Sequence, residues 1–189
     1  MNVTPDEAGE ALAAIEKMVR KTKKSISSSG AYVFLIIWGF IWFFGFLSSH
    51  FFPGEPSNKV WIILDIVGGI LSIVVGFRLN RNIRSPSASL SGSRIGLFWF
   101  LLFAYCFAAI SIVWPVDGKT AAMIIILFVT VGWIAMGLLL STASVWWGLA
   151  LTALALFGYF LLPDIFYIWM GILGGGGMIA LGIYIRNRW

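Results

Sequence analysis

Residues 120–163 read TAAMIIILFVTVGWIAMGLLLSTASVWWGLALTALALFGYFLLP, 44 residues between Lys119 and Asp164 without a formal charge. As one α-helix, rising 1.5 Å per residue, this stretch would measure about 66 Å, more than twice the roughly 30 Å hydrocarbon core of a bilayer. It has to fold back. Its one polar cluster, Ser141-Thr142-Ala143-Ser144, marks a tight turn between apolar spans at 120–140 and 145–162.

Working outward from this hairpin, the same reading of the gaps between charges gives four more spans: 31–52, 60–77, 95–114 and 165–185. Pro53, Pro115 and Pro163 each follow an odd-numbered span, where a helix has to stop and the chain turn. The composition agrees. The 189 residues are 60% hydrophobic and 11% charged, and 21 are glycine, against about 25% charged residues in a soluble domain. A soluble globular domain, a disordered chain, a collagen and a disulfide scaffold are all excluded, the last because Cys106 is the single cysteine. The expected fold is all-α: a polytopic membrane bundle of six transmembrane helices in three hairpins, residues 31–189, preceded by a cytoplasmic amphipathic helix at 1–30.

The basic residues give the orientation. Lys17, Arg20, Lys21, Lys23, Lys24, Arg78, Arg81, Arg84, Arg94, Arg186 and Arg188 fall on the side of the N-terminus, 11 of the 13, leaving Lys59 and Lys119 for the other. By the positive-inside rule both termini are cytoplasmic. The net charge of +5 is then a topology signal with an affinity for anionic lipid, not a nucleic-acid footprint. No cleavable signal peptide is visible, so the first span would act as an uncleaved anchor.

Thr4-Pro5-Asp6-Glu7 reads as a capped helix start. Ala8, Ala11, Leu12, Ile15, Met18, Val19 and Ile26 then recur at three and four residues, with acids in the first half and lysines in the second. Such a helix lies on the cytoplasmic leaflet, in contact with membrane lipid, or docks a cytoplasmic protein partner. Residues 80–93 (NRNIRSPSASLSGS) read as a solvated linker. The opening EALAAIEKMVRKTKKSISSSG followed by WGFIWFFGFLSSHF, about the first fifty residues, resembles a group of small, uncharacterised bacterial integral membrane proteins. The resemblance implies the bacterial inner membrane, and a sensory or regulatory role because similar members are often encoded near a small transcription regulator. It assigns no site residue.

An internal repeat is also legible. Trp38-Gly39, Pro53, Trp61, Gly68-Gly69 and Arg78 correspond to Trp147-Gly148, Pro163, Trp169, Gly176-Gly177 and Arg186. The middle hairpin matches less well, through Phe98-Trp99, Pro115 and Gly132. Gly68, Ser72 and Gly76 form a smooth stripe every four residues, as at close helix contacts. Gly174, Gly175, Gly176 and Gly177 cover every face of the sixth span, so they either pack closely all round or allow local unwinding.

Asp65 is the one formally charged side chain inside a span, and an intramembrane acid is a functional candidate by default. It lies about 8 Å inside the end of its span. It shares a face with Trp61 and Gly68, which predicts that it points into the bundle. His50 and Glu55, on the same outer side, complete a candidate polar site, to which Asp117 and Asp164 add outer acids for a proton or a divalent cation. One histidine and one cysteine cannot make a zinc centre or a bis-histidine haem, and no cofactor is expected. HExxH, GxSxG and paired intramembrane aspartates are missing. The expected function is a non-enzymatic regulatory or scaffolding protein of the inner membrane, with homo-oligomerisation open; the alternative is a small-solute or ion transporter or channel using Asp65.

Overall fold

A computed structural model describes residues 31–81, 86–140 and 144–188; the amphipathic helix expected at 1–30 lies outside them. Every regular element among the described residues is helical: α1 (Ala31–Phe51), α2 (Glu55–Arg81), α3 (Pro86–Ile112), α4 (Gly118–Leu140) and α5 (Ser144–Leu161), then α6 (Phe166–Trp169), a π-helical segment Met170–Gly175 and α7 (Gly176–Arg188), which together form one broken sixth helix. Five stretches are long and apolar enough to cross a membrane: Tyr32–Phe51, Glu55–Leu79, Arg94–Ile112, Gly118–Leu139 and Phe166–Asn187. The sixth expected span is a shorter apolar helix, Val145–Leu161. The 18 residues of α5 measure about 27 Å, just under the hydrocarbon thickness.

Two boundaries differ from the sequence reading for local reasons. Helix α2 starts at Glu55, five residues before its first apolar position, because Gly54 adopts φ +89°, a left-handed conformation that lets the chain reverse within three residues and begin a new helix. The expected linker at 80–93 is mostly helix: α2 runs to Arg81 and α3 opens on Pro86, whose fixed φ suits a first helical turn. Residues 82–85 and the expected turn residues 141–143 lie outside the described residues.

Lipid tails are as apolar as leucine, so membrane helices associate through close packing rather than through exclusion of water. Glycine supplies that closeness here. A methyl group placed on Gly175 would lie 2.5 Å from the backbone N of Phe43 and 2.8 Å from the carbonyl of Gly39; one on Gly39 would lie 2.9 Å from the carbonyl of Gly175 and 2.7 Å from the Ile179 side chain. Further along the same crossing, one on Gly182 would lie 3.0 Å from the carbonyl of Tyr32. Helix α1 and the sixth helix therefore touch backbone to backbone. Helices α4 and α5 pair in the same manner, where Gly148 faces the Thr130 carbonyl and Ile134.

Between the two pairs sits a filled core of Ile41, Trp42, Phe46, Met123, Ile126, Leu151, Ala155, Phe166, Met170 and Met178. Phe166, Met170 and Ala155 are wholly inaccessible. Helices α2 and α3 flank this core; α2 packs on α1, and α3 on α4. The loops at 52–54, 113–117 and 162–165 share one end of the bundle, called here the Pro53 end: Tyr167 stacks on Phe46, and the position of a Gly118 methyl group lies 3.4 Å from the Tyr167 hydroxyl.

Each hairpin is closed by a tryptophan laid over a glycine: Trp61 over Gly45, Trp99 over Gly132 and Trp169 over Gly158. The Trp61 indole also donates to Ser49 Oγ (2.8 Å) and the Trp169 indole to the Leu154 carbonyl (2.9 Å). The tryptophans paired by the sequence repeat thus perform one task. Their helices do not occupy equivalent places, since α2 is peripheral and the sixth helix central.

The glycine run resolves into two environments. Gly174 and Gly175 are buried, whereas methyl groups on Gly176 and Gly177 would meet nothing within 4 Å. Gly175→Ala is expected to lower stability by about 1 to 3 kcal/mol, the usual cost of overpacking where backbone cannot retreat. Gly177→Ala should be neutral or gain up to about 1 kcal/mol from helix propensity. Thermal unfolding of the two variants in detergent reads the difference, and equal melting temperatures would contradict the backbone contact.

Candidate functional site

The three residues singled out as a polar site are not assembled into one. His50 occupies the last turn of α1, half-buried, with its ring edge-on to Phe51 at a centroid distance of 5.1 Å. Glu55 opens α2 and forms an ion pair with Lys59 at 3.5 Å, both side chains more than 70% exposed; a pair of this kind at i,i+4 contributes about 0.3 to 0.5 kcal/mol. Asp65 lies ten residues further along α2, about 15 Å from its start. The described residues contain no cluster of three or more histidine, cysteine or acidic side chains suited to a metal ion.

The expected direction of Asp65 is corrected. The seam of α2 against α1 runs through Ser57, Trp61, Leu64 and Gly68; Ser57 and Gly68 are buried, and Gly68 bears on the Ile41 side chain. Asp65 follows Leu64 by one residue, roughly 100° further round the helix, and its side chain is exposed, among the exposed Ile62, Ile66, Ile70 and Ile73. It makes no hydrogen bond or ion pair within the chain. Trp61 and Gly68 lie in the seam and Asp65 at its edge, so sharing their side of the helix does not bury the carboxylate. In a bilayer this surface faces hydrocarbon, where a carboxylate near the helix centre costs about 3 kcal/mol on insertion scales.

The stripe of Gly68, Ser72 and Gly76 divides likewise. Gly68 packs, Ser72 Oγ accepts a hydrogen bond from the Trp38 indole at 3.2 Å, and a methyl group on Gly76 would meet nothing within 4 Å. Among the described residues, buried side-chain oxygens and nitrogens are all paired. Thr130, wholly buried, donates to the Leu127 carbonyl at 3.1 Å.

At the Pro53 end Asp117, read from the sequence as one acid of an outer ion site, instead belongs to a polar cluster with Thr120 and Tyr159. Asp117 Oδ1 accepts from the backbone N–H groups of Lys119 and Thr120, each at 3.0 Å, and so caps α4. Thr120 Oγ1 lies 2.9 Å from the Tyr159 hydroxyl, and the Lys119 ammonium stands 4.9 Å from the centre of the Tyr159 ring. The Thr120 hydroxyl, followed by its amide, holds the Asp117 carboxyl below the usual carboxylate range. The contact between the Thr120 and Tyr159 hydroxyls ties the start of α4 to the end of α5. Asp117 three residues before a threonine was the available signal, a helix-start pattern like the one recognised at Thr4.

Two cavities open on the outside of the bundle. One, of about 330 Å³, is a depression between α3 and α4 lined by Phe98, Leu101, Leu102, Tyr105 and Phe128. The other, of about 110 Å³, lies beside the π-helical segment among Trp133, Trp147, Leu154, Leu173, Gly174 and Met178. Both are lined chiefly by apolar side chains. The chain matches no protein-family model, no curated protein and no solved structure.

Because the folded-state acidity of Asp117 is raised, the stability it contributes is present above the unfolded carboxylate range near pH 4 and is lost as the pH falls through its lower folded value. Asp117→Ala is expected to cost about 1 kcal/mol at neutral pH, as for other lost helix caps. The gap between the variant and the wild type should narrow as the pH is lowered below the unfolded carboxylate range near pH 4; a gap that stays constant would show that the carboxylate is not responsible.

Proposed function

We propose that the chain is a six-span protein of the bacterial inner membrane, with both termini cytoplasmic, that acts as a regulatory or scaffolding protein and performs no chemistry of its own. The observation that carries this reading is the filled centre of the bundle. Phe166, Met170, Ile126 and Ala155 occupy the space between the helix pairs with 0 to 1% exposure, and the pairs are held by direct backbone contact at Gly39, Gly175 and Gly148. A rigid interior of this kind suits a platform that presents surfaces and ends.

The six-span reading is supported by the charge distribution, with 11 of 13 bases on one side, and by α5 being as apolar as its neighbour α4 though shorter. The cytoplasmic side then carries the basic loops and the amphipathic segment 1–30, the natural contact for a cytoplasmic partner. Transport through Asp65 has less support: the acid lies outside the packed core, so a solute meeting it would travel along the protein's exterior.

Capture from native membranes with full-length protein is expected to retain a cytoplasmic partner, and the double substitution Leu12→Asp and Ile15→Asp to release it while leaving membrane insertion intact. In parallel, liposome flux of protons and small cations should be the same for the wild type and Asp65→Asn. A flux that disappears in Asp65→Asn would favour the transporter.

A further inference from the structure

The two flanking helices expose complementary groups at one depth. On α3, Tyr105 is 71% exposed and its hydroxyl has no partner in the chain. On α2, Asp65 is exposed and equally unpartnered. Gly132 lies about 21 Å along α4 from Gly118, and it crosses α3 between Trp99 and Leu102. Tyr105, one turn nearer the Pro53 end, is therefore about 14 Å below that end, and Asp65 is about 15 Å below it. A carboxyl oxygen surrounded by hydrocarbon needs a donor, and a tyrosine hydroxyl at the same depth is one.

Shape agrees with the chemistry. Beside Tyr105 lies the 330 Å³ depression between α3 and α4. Beside Asp65, Ile66 and Ile73 project outward, and a methyl group on Gly69 would meet nothing within 4 Å, so a neighbouring helix can come close there. Helix α2 packs on α1 and α3 on α4, with no extensive contact joining α2 to α3.

We propose that copies of this chain associate side by side in the membrane, α2 of one seated on α3 of the next, with the Tyr105 hydroxyl of one donating to the Asp65 carboxyl of its neighbour and the isoleucines of α2 entering the Phe98–Tyr105 depression. The two surfaces differ, so the contact is heterologous: it closes into a ring if the rotation permits and otherwise extends into a row. All copies insert in one orientation, which keeps Asp65 and Tyr105 at matching depth. The assembly rests on the chain spanning the membrane and not on the regulatory reading. A protein that stays monomeric yet captures a cytoplasmic partner would overturn this proposal and leave that reading standing.

Ile62 and Ala109 lie one turn from Asp65 and Tyr105 toward the same end, and disulfide trapping between them tests the contact. In a Cys106→Ala background, full-length chains carrying Ile62→Cys are co-expressed with chains carrying Ala109→Cys and oxidised in native membranes. A mixed dimer is expected, with neither single variant cross-linking to itself. Adding Tyr105→Phe, which keeps the ring at an exposed site, should weaken association measured by energy transfer in liposomes by about three- to twentyfold, the range of hydrogen bonds between membrane helices. Self-cross-linking of Ile62→Cys alone would place two α2 helices together and overturn the assignment. So would a cross-link formed within one chain carrying both cysteines, no cross-link at all, or an association indifferent to Tyr105→Phe.

Discussion

The contact between Gly39 and Gly175 is the constraint on which the rest of the bundle depends. In water a helix can be held to its neighbour by burying apolar side chains, but in a bilayer that gain is small because the alternative is lipid. Closeness has to supply what hydrophobicity does not, and only residues without a side chain permit backbones to meet. Where α1 meets the sixth helix there is no room for a Cβ on Gly39, Gly175 or Gly182. The spacing from Gly171 to Gly175 to Gly182, four residues and then seven, keeps one smooth face turned to α1 over three turns.

The π-helical segment belongs to the same geometry. Met170–Gly175 is wound more widely than the α-helix on either side, and within it Met170, Gly171, Gly174 and Gly175 are all buried. The four follow the i, i+1, i+4, i+5 pattern of one buried helix face. On that face Gly171 and Gly175 meet α1 while Met170 reaches the core between the helix pairs. Met170 is wholly inaccessible there, beside Phe166, with which it closes the centre.

What the sequence made legible was whatever charge and chain length determine. An uncharged run of 44 residues cannot be one helix in a bilayer, so the turn near Ser144 was forced. What remained hidden was whatever depends on a neighbour. Gly175 and Gly177 are the same residue two positions apart, yet one touches backbone and the other touches nothing, and only the position of α1 decides which. The direction of Asp65 failed for a related reason: α2 is apolar on every side, so hydrophobic period cannot say where the seam ends, and the seam that holds Trp61 and Gly68 ends short of Asp65. The Asp117 cap, by contrast, lay within reach, since an aspartate ahead of a new helix with a threonine three residues on is a local pattern that needs no partner to interpret.

The displacement of Asp65 from interior to exterior changes the kind of function its sequence position implies. An acid enclosed by its own bundle is solvated by fixed dipoles, and its natural uses are relays and ion sites within one molecule. An acid on the outer face of a peripheral helix has nothing fixed around it, so its free energy depends on what the membrane brings to it: a lipid head group drawn inward, a proton, or another helix. The first two leave the surrounding surface indifferent to sequence, and any apolar residues would serve. The surface is not uniform, because an open glycine lies one turn below the acid and a hydroxyl waits at the same depth on the opposite flank of the molecule. A lone charge in hydrocarbon is tolerated most readily when its cost falls only on the separated state, and a helix that pairs through it gains from contact what it loses by standing alone.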